Sequence, residues 1–201
     1  MLIWLNGAFG AGKTQTAHEL HRRLPDGHVA DPELLGFALH RMLPTAQRRD
    51  FQDLAQWRSG VVETLAQAER AHRGPVLVPM TLVEDDYFDE IMDGLTSRAV
   101  AVRHYALLAQ PSTLRNRLSH RLGFIGSWIG DDTWAVEQIP RCVAALATER
   151  YTTHVETDNL TTDEVVEWIA CDAGLTLTRP RLGPLRSQLQ RLRVGVRHVR
   201  A

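Results

Sequence analysis

Lysine is almost missing from this sequence. Of 23 lysine and arginine side chains, 22 are arginine, and the single lysine is Lys13. No N/T-K-x-D base-reading motif can be built beyond that position, which excludes the usual GTPases. The protein-kinase signatures H-R-D and D-F-G are absent as well. Cys142 and Cys171 stand apart, outside any C-x-x-C spacing, so neither a disulfide framework nor a thiolate metal centre is indicated. The histidines are scattered without H-E-x-x-H or another ligand spacing, and no chemistry is assigned to them. No apolar run approaches the roughly 18 residues that a membrane-spanning helix needs. Met1-Leu-Ile-Trp-Leu-Asn6 lacks a basic flank and reads as a first strand, not a secretory leader. The expected setting is a reducing cytoplasm.

What is present is a chain of 201 residues, enough for one domain with a modest appendage. Charge is unevenly placed. Residues 173–201 hold seven arginines and no acid, so the tail contributes +7 to a net of −1 and leaves −8 for residues 1–172. Strand and helix patterns alternate throughout. Strands are expected at Leu2–Asn6, His28–Ala30, Pro75–Pro79, Ala101–Ala109 and Thr153–Glu156. Between and after them, helices are expected at Lys13–Leu24, Glu33–Leu43, Gln47–His72 with an interruption near Arg58-Ser-Gly60, Asp85–Leu95, Ser112–Leu122, Thr133–Tyr151 and Thr161–Ala173. This alternation predicts a three-layer α/β domain, a five-stranded parallel sheet with helices on both faces. Ligands of such sheets sit beyond the carboxyl ends of the strands. The domain is expected over 1–178, and a basic amphipathic segment over 179–201.

The first such strand end carries Gly7-Ala-Phe-Gly-Ala-Gly-Lys-Thr14, a full G-x-x-x-x-G-K-[ST] P-loop between a predicted strand and a predicted helix. Glycines let the backbone wrap so that successive N–H groups point at phosphate oxygens. The helix that follows adds its unpaired amides and its positive dipole end. Lys13 is expected to reach the β- and γ-phosphates and the Thr14 hydroxyl to ligate Mg²⁺. The cradle for ATP is expected to comprise Gly7, Phe9, Gly10, Ala11, Gly12, Lys13, Thr14 and Gln15. A glycine-rich turn with an incidental lysine is the plainer alternative, and the strand-loop-helix context argues against it.

An early P-loop and an arginine-bearing helix after the fourth strand resemble nucleoside-monophosphate kinases and other small-molecule kinases. The likeness narrows at Ile3-Trp-Leu-Asn-Gly-Ala-Phe-Gly-Ala-Gly-Lys-Thr-Gln-Thr-Ala17, Glu19-Leu-His-Arg-Arg-Leu24 and Asp31-Pro-Glu33. Together with Phe51-Gln-Asp-Leu54, Trp57-Arg58 and the arginine-rich tail, these segments resemble the ATP-binding tunicamycin-resistance family. The resemblance implies a kinase-like core that binds ATP and protects against a uridine-containing nucleoside antibiotic. A small nucleoside-type, tunicamycin-like ligand is the implied partner, and no nucleic-acid partner is expected.

Three further candidates follow from position. Asp31 ends the second strand, where a carboxylate can deprotonate a substrate hydroxyl or hold a magnesium-bound water; it can equally cap the next helix. Arg117 and Arg121 lie four apart on the helix after strand four, in a lid expected over about 115–135, where guanidiniums neutralise a transferring phosphoryl group. The glycine-hinged Gly123–Gly130 segment is read as a loop able to close over a ligand. The third strand departs from the common kinase pattern, because Met80-Thr81 follow Pro79 where an aspartate would normally stand. That gap favours a second reading, in which the chain binds ATP and sequesters the drug without chemistry; Thr81 is a minor candidate for substrate contact. In the tail, Leu185, Leu189, Leu192, Val196 and Val199 share one helical face among arginines, a pattern for peripheral contact with an anionic membrane or for docking on the acidic body.

Overall fold

The structure, a computed structural model, describes residues 1–125, 132–151 and 153–183, with 186 and 190. Side chains are described for these except at 120–125, 132 and 133. Among the described residues there are five strands and seven helices; the strands are β1 (Leu2–Gly7), β2 (His28–Val29), β3 (Val76–Pro79), β4 (Val102–Leu108) and β5 (His154–Glu156). They form one parallel sheet in the order β2-β3-β1-β4-β5, with β1 at its centre. The helices connect or follow the strands: α1 (Lys13–Arg23), α2 (Glu33–Met42), α3 (Ala55–Ala71), α4 (Asp85–Thr96), α5 (Pro111–Ile125), α6 (Asp132–Leu146) and α7 (Thr162–Asp172).

A parallel strand covered on both faces has no solvent side, which is why β1 is apolar at consecutive positions and Leu2 through Leu5 are fully buried. Alternation still sorts the side chains. Ile3 and Leu5 join a cluster with Leu20 of α1, Leu114 of α5 and Ile169 of α7. Leu2 and Trp4 face the other way, against Trp57 and Leu65 of α3 and Ile91 of α4. Each such side chain contributes about 1.5–3 kcal/mol when fully buried. The α/β three-layer expectation is therefore met, with helices on both faces of the sheet.

Several expected boundaries shift, among them the end of α6, which lies at Leu146 where Tyr151 is expected. The interruption near Arg58-Ser-Gly60 does not exist: α3 runs unbroken from Ala55 to Ala71, and the irregular chain precedes it, as single 3₁₀ turns at Thr45–Gln47 and Phe51–Asp53. Gly60 is there for close packing, since a Cβ on it would stand 2.9 Å from Leu35 Cδ2 of α2. Helix α5 extends to Ile125, three residues into the segment read as a loop; the rest of that loop, much of the expected lid and nearly all of the tail helix fall outside the described residues. The cap of α7 is Thr161, whose hydroxyl accepts from Glu164 N while Glu164 accepts from Thr161 N, a capping box.

The start of the tail is tied to the domain. Thr178 N and Arg179 N donate to Arg23 O at 2.9 and 3.3 Å, and the Arg179 guanidinium donates to Arg22 O at 3.0 Å. These contacts satisfy carbonyls that the end of α1 leaves open. Arg181 pairs with Glu167 of α7, and with Arg23 it holds that carboxyl down to about 2. Among the described residues no helix is long and apolar enough to cross a membrane.

Candidate functional site

The P-loop occupies the carboxyl end of the central strand. Gly10 and Gly12 take φ of +85° and +96°, values that side chains other than glycine rarely adopt. At Gly10 space adds to the constraint, because a Cβ would meet Leu114 O of α5 at 2.9 Å. The loop thus lies directly on α5. Gly12 precedes α1 without any side-chain cap, and the first turn of the helix contains no acid. Its first amides and positive dipole end face the loop with no built-in anion, an arrangement suited to a phosphate.

Lys13 is buried, and its Nζ donates to Gly7 O at 2.9 Å and Ala8 O at 3.1 Å, folding the ammonium over the loop's own carbonyls. It lies 5.5 Å from the centre of the Phe9 ring, which packs edge-on against Trp134 of α6 at 5.2 Å. Ala11 N closes the loop on Ala8 O at 3.0 Å. Thr14 and Gln15 are half-buried in the first turn of α1, where the Thr14 hydroxyl offers the hard oxygen donor that magnesium takes.

The residue that anchors this loop lies just before the P-loop pattern and is not among the expected site residues. Asn6 is fully buried, and its Oδ1 accepts from Gly7 N at 2.8 Å and Leu82 N at 3.0 Å. Its Nδ2 donates to Leu82 O at 2.7 Å and lies 3.2 Å from His104 Nε2. Its one sequence signal is that of a lone amide closing an apolar run, directly before the first glycine. Because Nδ2 can only donate, His104 accepts at Nε2 and carries its proton on Nδ1. That Nδ1 is buried without a hydrogen-bond partner among the described residues, between the rings of Phe88 and Tyr151.

Burial, with a smaller contribution from His154, pushes His104 down to about 4 from 6.5. The imidazole is therefore neutral at pH 7. Between pH 6.5 and 4 the unfolded chain binds a proton at this position that the folded chain refuses, so stability present above 6.5 is lost as the pH falls. The expected loss is about 3 kcal/mol across that window. Urea midpoints of the wild type and His104→Gln measured from pH 7 to 4 test this: the wild type should lose about that much more than the variant. Parallel curves would mean that His104 protonates freely in the folded protein.

The other expected site residues are dispersed around the loop. Asp31 precedes α2 and its Oδ1 accepts from Glu33 N at 3.0 Å, so the capping role is present in the structure. Arg117 of α5 donates to Thr157 Oγ1 at 3.1 Å and Thr157 O at 2.6 Å, which fixes it at the end of β5. The Arg121 side chain lies outside the described residues. Thr81 is buried and gives its hydroxyl to Gly7 O at 2.8 Å, so it braces the loop at the tip of β3. No group of three or more metal-ligating acids, histidines or cysteines occurs among the described residues.

A parallel sheet, a glycine cradle at the end of its central strand and a lysine folded over that cradle define a kinase-like, nucleotide-binding P-loop protein. Residues 2–123 match the family described as an AAA domain. The solved structure of the Deinococcus radiodurans tunicamycin resistance protein is similar with a TM-score of 0.74 and 32% identity, over 89% of this chain and 99% of that one. A Janibacter sugar kinase (TM-score 0.61, 15% identity, 87% of this chain and 95% of that one) shares the fold. So does the Mycobacterium tuberculosis APS kinase CysC (TM-score 0.59, 14% identity, 86% and 96%). No match was found among the curated proteins. The chain belongs to the AAA-domain family of P-loop proteins and, within it, to the tunicamycin-resistance family that the Deinococcus protein represents.

Proposed function

We propose that this protein binds ATP with Mg²⁺ at the Gly7–Thr14 loop and transfers a phosphoryl group to a small nucleoside-type molecule of the tunicamycin class. The observation that carries this reading is the loop itself: a helix α1 that starts without a side-chain cap, Gly7, Gly10 and Gly12 at positive φ, and Lys13 folded over the loop carbonyls, an arrangement that fits a triphosphate. ATP supplies the phosphoryl group, and the metal offsets charge on it. Lys13 turns from Gly7 O and Ala8 O to the phosphate oxygens, the loop amides fix their position, and Thr14 holds the metal. Arg117, steadied by Thr157 at the end of β5, contributes positive charge from α5, the role that the sequence also assigns to Arg121. The ligand class comes from the likeness to the Deinococcus tunicamycin resistance protein.

A second reading, ATP-dependent sequestration of the drug without chemistry, is favoured by one observation. Strand β3 ends in Pro79 and passes to Met80 and Thr81, with no carboxylate at its tip. Mass spectrometry of tunicamycin and a panel of uridine nucleosides after incubation with the protein and Mg-ATP separates the two. A phosphorylated product is expected. Unmodified ligands that still bind by calorimetry would replace transfer by sequestration.

A further inference from the structure

The tip of β3 lacks an acid, yet it is occupied. Gln52 Nε2 donates to Thr81 O at 3.1 Å, Thr81 Oγ1 donates to Gly7 O at 2.8 Å, and Gly7 O also receives Lys13 Nζ at 2.9 Å. A continuous run of polar contacts thus connects the Phe51–Asp53 turn to the P-loop. The turn is held firmly from its other sides. Arg58 Nη1 donates to Gln52 O at 2.6 Å and the Tyr87 hydroxyl donates to Asp53 Oδ1 at 3.0 Å, while the Arg58 guanidinium lies 4.3 Å over the Tyr87 ring. Phe51 packs against Trp57 at 5.3 Å and into the space left by Gly36, where a Cβ would stand 2.5 Å from its ring.

Asp50 stands at the head of this platform. Its Oδ1 accepts from Gln52 N at 3.0 Å, and its second oxygen has no hydrogen-bond partner among the described residues. The Arg141 guanidinium of α6 acts on it electrostatically, with Asp53 as the opposing charge. Arg141 also pairs with Glu84, at the head of α4, and donates to Gln138 Oε1 at 3.0 Å. Helix α6 is the element whose Trp134 touches Phe9 of the P-loop. The Asp50 carboxylate thus sits on a turn coupled to Gly7 and Lys13 through Gln52 and Thr81, and it feels the charge of Arg141 on α6.

We propose that Asp50 receives the hydroxyl of a neutral, hydroxyl-bearing acceptor and takes the place of the acid missing from the end of β3. This inference rests on the phosphoryl-transfer reading above. It relieves Asp31, whose Oδ1 is engaged in starting α2. Burial, the largest influence on the group, raises the Asp50 carboxyl above the ordinary aspartate range, which suits a group that holds a hydroxyl hydrogen. A rigid turn is also the right support, because an acceptor must be presented within a few tenths of an ångström of a productive geometry.

The test is calorimetric titration of tunicamycin and of uridine into the full chain with Mg-ADP present, for the wild type and Asp50→Asn. Asparagine keeps the cap on Gln52 N, so the turn survives the change. Asp50→Asn is expected to weaken binding of the probe that the wild type takes up by about tenfold or more, the equivalent of one hydrogen bond to a charged group. Its affinity for ADP should stay within about twofold of the wild type. Unchanged probe binding in Asp50→Asn overturns the inference and leaves the phosphoryl-transfer reading intact. A parallel loss of ADP affinity makes Asp50 a structural residue and overturns it too. Failure of the wild type to bind either probe removes the nucleoside reading and this inference with it.

Discussion

Replacing Lys13 by methionine is expected to lower acceptor-stimulated ADP production by about a hundredfold or more. The side chain contributes a full positive charge where negative charge gathers in transfer, and losing one preorganised donor of this kind typically costs 10²–10³ in rate. Methionine preserves the buried volume beside Phe9, while the ammonium's two hydrogen bonds to loop carbonyls disappear. The melting temperature should therefore move by only a few degrees. A coupled ADP assay with parallel circular-dichroism melts measures both quantities. Turnover within about tenfold of the wild type in a well-folded variant would remove Lys13 from the chemistry.

The second large effect concerns folding. Asn6→Ala deletes four polar interactions at once and leaves Gly7 N, Leu82 N and Leu82 O buried without their side-chain partner. Each abandoned buried group costs about 1–3 kcal/mol, and members of one network do not add in full. A loss of about 3–5 kcal/mol is expected, roughly 10 °C in melting temperature for a chain of this length. Nucleotide affinity should fall as well, because Asn6 fixes both the entry to the P-loop and the chain just after β3. A chemical-denaturation midpoint close to that of the wild type would show that water replaces the amide, and the loop would then be anchored elsewhere.

Both variants act on the part of the molecule whose design is clearest in the sequence. Spacing of glycines, lysine and threonine is a local pattern, and local patterns survive as strings of letters; Gly7 through Thr14 can be placed without any knowledge of the fold. The sheet is legible for a related reason. Strands buried on both faces must be apolar at consecutive positions, and Leu2–Leu5 and Val76–Val78 display that plainly. Contacts between distant residues leave no such trace. Asn6 with Leu82, or Gln52 with Thr81, are joined only once β1, β3 and the 3₁₀ turn are assembled. Gly60 shows the opposite hazard: its letter suggests a helix break, while its role is to admit Leu35 from a neighbouring helix. Asp31 shows how one residue type serves two purposes, since a carboxylate at a strand end also starts a helix. Sequence position alone does not separate these roles.

The scarcity of lysine has a chemical consequence. An ε-amine is the usual target of amine-selective acylation, and this chain owns one, in the centre of its phosphate cradle. A reagent that in most proteins would decorate the whole surface finds its one lysine target here in the P-loop, so the extent of acylation at Lys13 reports on whether the cradle is filled.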